Sequence, residues 1–160
     1  MPTHAEQMLI DRHALVPHPE GGWYAEVVRT KTPVLTVDGR ERSSLTSIYF
    51  LLDRDSVSRW HIVASDELWI LLEGRGLALH TFDERTMSYE ITMLNDACRQ
   101  HLVPAGVWQA AMPVDGHAFC ACAVAPGFEF GDFRMIGKSG EDEELVKVLT
   151  DANPLAKRFI

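Results

Sequence analysis

The chain has 160 residues, 46% hydrophobic and 24% charged, with 23 acidic against 15 basic side chains and a formal charge of -8. That is the balance of a soluble domain with a real core, and its sign repels phosphate backbones and anionic headgroups, so nucleic acid and membrane surfaces are poor partners. No apolar run approaches the roughly 20 residues of a bilayer span, and the N-terminus has no basic start or apolar centre of a secretory signal, so a cytoplasmic location is expected.

Residues 5–15 set Met8, Leu9 and Leu15 among charged neighbours, which predicts a short amphipathic helix ended by Pro17 and Pro19. The stretch His18-Pro19-Glu20-Gly21-Gly22 is too rich in proline and glycine for a regular element. Loops of this kind carry function when the scaffold is rigid, although the two glycines can equally serve only to bend the chain into the first strand. From there the period changes. Residues 23–29, 44–52, 57–63, 67–73, 77–83, 89–94 and 107–112 are short runs of aliphatic, aromatic and β-branched residues. Turn-forming groups separate them at Asp38-Gly39, 53–55, 74–76, 104–106 and Asp115-Gly116. Short strands joined by turns, without helices between them, predict an all-β antiparallel sandwich or closed barrel.

Cys98, Cys120 and Cys122 are odd in number and lack paired spacing, which indicates neither a disulfide framework nor a zinc cage. Cys120 and Cys122 would share one face of a strand as buried reduced thiols. Residues 141–157 return to helical composition, broken or restarted at Pro154, and should pack outside the barrel. With no repeat, low-complexity tract or linker, residues 1–160 read as one domain, with a core of about 15–135 and a helical tail over 136–160.

Two segments combine polar side chains with the pattern of a barrel wall. Along 60–74, strand alternation puts Glu67, Trp69 and Leu71 on one face and Leu68, Ile70 and Leu72 on the other. Along 102–111, a turn feeds a strand on which Val107, Gln109 and Ala111 face together. On the strand at 44–52, Ser47 and Tyr49 share a face with Leu45 and Leu51, and offer hydroxyls either to a pocket or to its rim.

These residues resemble the two cupin motifs. The first is a His, one residue, a second His, three or four residues, a Glu, six residues and a Gly; here His61, Val63, Glu67 and Gly74 take those places. The second is a Pro, one residue, a Gly, two residues and a His, matched by Pro104, Gly106 and Gln109. Two of the four usual metal-ligand positions are therefore Val63 and Gln109. A closer resemblance over about 15–135, carried by the runs 15–24, 45–52, 65–69, 103–109 and 125–133, is to the short cupins called cupin type 5, or domain of unknown function 985. The resemblance implies an antiparallel double-stranded β-helix, a jelly-roll barrel with short N- and C-terminal helices similar in fold to deoxysugar epimerases. It also implies a homodimer, and an arm at 18–22 lying near the dimer interface and the pocket entrance.

Three functions follow as expectations. In the first, the chain binds a small molecule, a sugar or carbonyl compound, and His61 and Glu67 act as general acid and base in isomerase or epimerase-like chemistry. Tyr49 would supply a proton, and Ser47, Trp69, Gln109, His18, Glu20 and Phe128 would contact the ligand. In the second, His61, Glu67 and Gln109 hold a divalent metal ion for a dioxygenase or lyase. In the third, the same pocket binds without turnover and the His–Glu pair is structural. The aromatic side chains of Trp69, Phe128, Phe130 and Phe133 either stack on a flat ligand or fill the core. His4, His13, His80, His101 and His117 have no partner spacing and read as solvated or structural.

Overall fold

The computed structural model describes residues 1–137 and 141–160. A helix, α1 (His4–His13), is followed by strands β1 (Val16–Pro17), β2 (Trp23–Arg29), β3 (Pro33–Leu35), β4 (Glu41–Ser43), β5 (Thr46–Leu52), β6 (Ser58–Val63) and β7 (Asp66–Gly74). Then come β8 (Leu77–Asp83), β9 (Ser88–Leu94), β10 (Gln100–Val103), β11 (Trp108–Pro113), β12 (Ala118–Ala125) and β13 (Phe133–Met135), and finally helix α2 (Glu143–Ala152) with a 3-10 helix over Pro154–Phe159. Every strand pairing is antiparallel: one sheet runs β1-β2-β5-β12-β7-β10 and the other β13-β6-β11-β8-β9, while β3 and β4 form a separate hairpin. Among the described residues no helix is long and apolar enough to cross a membrane.

The two sheets face each other as a jelly roll, and the predicted turn groups fall between strands as expected. The inner faces supply the main core, with Phe50, Trp69, Leu71, Leu79 and Cys120 almost fully buried. Each sheet is also covered on its outer face. Helix α1, closed by a capping box in which Thr3 accepts from the Glu6 amide and Glu6 from the Thr3 amide, lays Leu9 and Ile10 on Leu51 and Phe119. It stops at His13, earlier than the two prolines predict, because Ala14 takes a left-handed conformation and caps it; Met8 faces solvent. On the other sheet, Trp60, Phe82, Trp108 and Ala110 are buried under Leu149, Ala156 and Phe159. The Trp60 indole donates to the Ala156 carbonyl at 3.0 Å, so the tail packs outside the barrel as its composition suggests.

Candidate functional site

The cavity opens between the sheets and has a volume of ≈ 140 Å³. An apolar cavity of about 150 Å³ admits benzene, so this one suits a molecule of that size. His61 and Val63 reach it from β6, Glu67 from β7, and Cys122 from β12, each by the two-residue alternation of its strand. His61 lies directly across from Gln109 of β11, which makes the two motif positions neighbours in space.

The loop after β1 adds the other half of the floor. Gly21 and Gly22 have φ of +114° and +68°, and a Cβ on them would come within 2.1 Å of the Val57 carbonyl oxygen and 2.5 Å of that of Leu51. Only glycine lets the loop lie this close, and its consequence is that His18 and Glu20 enter the cavity. The Arg59 amide fastens the loop to β6 by donating to the Glu20 carbonyl at 2.9 Å.

The hydrogen bonds fix where protons sit. His61 Nδ1 lies 2.8 Å from the Arg59 carbonyl and must donate to it, which leaves a lone pair on Nε2 in the neutral ring. That Nε2 has Glu20 Oε2 at 3.5 Å. His18 Nδ1 accepts from the Glu20 amide at 3.3 Å and also lies 3.4 Å from Glu20 Oε2. Glu20 Oε1 accepts from Ser58 Oγ at 2.8 Å. Oε2 thus faces two ring nitrogens that both carry lone pairs, and a proton on Oε2 satisfies the group. Burial raises the Glu20 pKa in that sense, and burial lowers those of His61 and His18.

Glu67 Oε2 accepts from the Gln109 amide at 2.6 Å, and Gln109 Oε1 accepts from the Trp69 indole at 2.7 Å. Because an indole only donates, the amide cannot be turned round. Burial pushes Glu67 up to about 7, against a smaller opposing pull from His61. The neighbouring thiols are also held protonated by burial, Cys120 at about 12 and Cys122 well above its ordinary value. Both are the buried reduced thiols their spacing suggests.

The metal-ligand set expected from the motifs does not fit this arrangement. Gln109 lies outside the cavity lining, with Oε1 on the Trp69 indole and its amide N–H turned toward Glu67, and Val63 has no donor atom, so of the motif positions only His61 and Glu67 present one to the cavity. Among the described residues no group of three or more His, Cys, Asp or Glu is placed to hold a metal ion.

Of the other expected residues, His18, Glu20 and Phe128 line the cavity, while Trp69 lies behind it as the indole that orients Gln109. Tyr49 and Ser47 are on the opposite face of β5 from Thr46, Ile48 and Phe50, which line the cavity. Tyr49 packs edge-on to His13 at 4.8 Å and beside Phe119, under α1. Both faces of β5 are covered, so alternation alone could not say which one points inward. Phe130 and Phe133 line the mouth with Phe128 rather than filling the core. Sequence reasoning missed Arg29, which closes one side of the mouth by bonding Glu26, Glu129 at 2.9 Å and the Phe128 carbonyl at 3.0 Å. It also missed Ser58; a hydroxyl at a strand start gave no signal.

Two facing antiparallel sheets with a ligand-sized cavity lined by His61, Val63 and Glu67 of the first cupin motif, and with Gln109 of the second behind Glu67, define a cupin fold. The chain belongs to the family described as "Cupin superfamily (DUF985)", whose model matches residues 7–136. It is 29% identical over 161 residues to the uncharacterized protein YML079W of Saccharomyces cerevisiae, covering 89% of this chain and 79% of the yeast protein. A hypothetical protein from Leishmania major superposes with a TM-score of 0.83 at 29% identity, over 96% of this chain and 97% of that one. A protein from Shewanella oneidensis gives 0.77 at 28% identity, over 94% of each chain. An oxalate decarboxylase from Bacillus subtilis matches at 0.58 and 14% identity, over 75% of this chain and 29% of that chain, a likeness of fold alone.

Proposed function

We propose that the cavity binds a small carbonyl compound and exchanges a proton on the carbon beside its carbonyl, as isomerases and epimerases do. The observation that carries this reading is the contact of Glu20 Oε2 with His61 Nε2 in an enclosed, largely apolar space. His61 Nε2 is the base, since its lone pair is left free by the Nδ1 bond to Arg59. Glu20, kept protonated by burial, is the acid that gives its proton to the carbonyl oxygen as the carbon proton moves to His61, forming a neutral enol; return of both protons completes the cycle. Glu67, tied to Gln109, is less well placed to trade protons with His61 than Glu20 is, so it serves as a ligand-holding group.

The test is proton NMR in deuterium oxide with hydroxyacetone and dihydroxyacetone as probes. The wild type should exchange their carbon-bound protons, and His61→Asn should lower the rate by about 100-fold or more, the usual worth of a positioned base. Exchange no faster than in buffer would leave a pocket that binds without turnover, and equal catalysed exchange by both proteins would remove His61 from the role of base.

A further inference from the structure

The polar groups of the cavity are unbalanced in two ways. Charge is the first: Glu20, Glu26, Glu67 and Glu129 line it against Arg29 alone. That guanidinium is already committed to Glu26, Glu129 and the Phe128 carbonyl, and among the described residues the other cation acting on an interior carboxyl is Arg59, which reaches Glu20 from outside the cavity and donates to the Pro19 carbonyl. Hydrogen-bonding sense is the second. His61 is 2% exposed and turns a lone pair into the space, and the carboxyls of Glu20 and Glu67 lie beside it. Of the neighbouring donors, Ser58 Oγ is spent on Glu20 and one N–H of the Gln109 amide on Glu67, while the Tyr24 hydroxyl stands toward the mouth. The walls are aromatic: Phe50, Phe128 and Phe133.

An anion would meet four carboxyls here, and a neutral polyol would bring as many acceptors as donors. A group that is all donor and positively charged matches both imbalances, and aromatic walls favour cations over neutral isosteres. We propose that the ligand of this cavity is a small organic ammonium, its N–H groups on the Glu67 carboxylate and its carbon skeleton against the phenylalanines. The inference rests on the acid-base reading of the same site and adds to it: the carbonyl compound carries an amine, held by Glu67 while His61 and Glu20 face the reacting carbon.

The cation takes the place of a proton. Glu67, held up to about 7 when the cavity is empty, ionises when the ammonium arrives. The groups facing it are His61 from β6, Glu20 and His18 from the loop, and Cys122 from β12, with Tyr24, Glu26, Arg29 and Glu129 toward the mouth. The histidines are kept neutral by burial and the thiol protonated, so the proton is released from a carboxyl.

Isothermal titration with benzylammonium, benzyl alcohol and benzoate tests this, since the three share a ring and reach and differ in charge. Benzylammonium should bind at least about tenfold more tightly than the alcohol, and benzoate least of all. Titrations in two buffers of different ionisation enthalpy should show proton release at neutral pH, and affinity for the ammonium should rise from pH 6 to pH 8. Glu67→Gln, checked for folding by thermal melting, should remove that pH dependence; if this variant does not fold, the wild-type pH dependence decides. Equal or tighter binding of the alcohol, preference for benzoate, or no binding of benzylammonium overturns the proposal. Loss of charge preference with His61-dependent proton exchange intact sinks only the ammonium. Loss of exchange with ammonium preference intact sinks only the acid-base reading.

Discussion

Two histidines flank the same central strand. His61 on β6 and His80 on β8 both neighbour β11, both are 2% exposed, and burial lowers the pKa of each, His80 to about 4. Alternation turns one inward and the other outward. His61 meets a cavity and two carboxyls; His80 Nδ1 shares a hydrogen bond with the Tyr89 hydroxyl at 2.7 Å and its ring packs 4.7 Å from that of Phe159. Burial and a displaced pKa are therefore shared by a structural histidine and a candidate catalytic one. What separates them is empty volume and a second titratable group aimed at the same point.

The sharpest way to break this contrast is to remove each ring. His80→Ala should cost about 2–4 kcal/mol in urea unfolding, because it opens a void beside Phe159 and removes the partner of the half-buried Tyr89 hydroxyl, and it should leave ligand affinity within about twofold. His61→Asn should cost about 1 kcal/mol or less, since its ring already borders a void, and abolish proton exchange. The reverse order would mean that the roles are exchanged.

A second contrast lies in pH. His80 has a folded pKa of about 4 against 6.5 unfolded, so the unfolded chain takes its proton first; stability from this group is complete above pH 6.5 and lost as pH falls toward 4. Glu67 runs the other way: about 7 folded against 4.5, it favours the folded state fully below pH 4.5 and loses that advantage as pH rises through 7. Between pH 4.5 and 6.5 the two slopes oppose each other, so chemical denaturation should give a nearly flat profile there; Glu67→Gln should uncover the rise due to His80 and raise stability at pH 8 by about 1–3 kcal/mol. A smaller effect belongs to Trp69→Phe. It leaves Gln109 Oε1 without its donor and should cost about 1 kcal/mol, with the Gln109 side-chain amide protons exchanging faster by NMR.

Much of this was legible beforehand. The turn groups at 53–55, 74–76 and 104–106 and the runs between them set out the all-β fold, and motif spacing picked out His61, Glu67 and Gln109. The Pro/Gly loop pointed to His18 and Glu20. Other features were hidden for identifiable reasons. The inward face of β5 was ambiguous because α1 covers the outer one, so Tyr49 and Ser47 were drawn into the site in place of Ile48 and Phe50. The hairpin β3–β4 has strands of three residues each, so the apolar run Pro33-Val34-Leu35 is too short to mark a strand and the polar Glu41-Arg42-Ser43 gives no apolar signature. The approach of Glu20 to His61 depends on how closely two glycines let a loop settle on β5 and β6, a three-dimensional fit that no periodicity records.

The mouth of the cavity is bounded by a segment held both by ion pairs and by backbone bonds, the Phe128 amide donating to Thr46 Oγ1 at 2.9 Å and the Ala64 amide to the Asp132 carbonyl at 3.2 Å. Asp132 pairs with Arg40 and with Arg42, the latter at 2.8 Å, and Glu129 pairs with Arg29 at 2.9 Å, so that the turn bearing Phe130 is clasped from two sides. Salt screens the exposed Arg29–Glu129 pair far more than it screens the buried Asp132, so rising ionic strength should free the Glu129 side of the mouth first and leave the apolar floor unchanged.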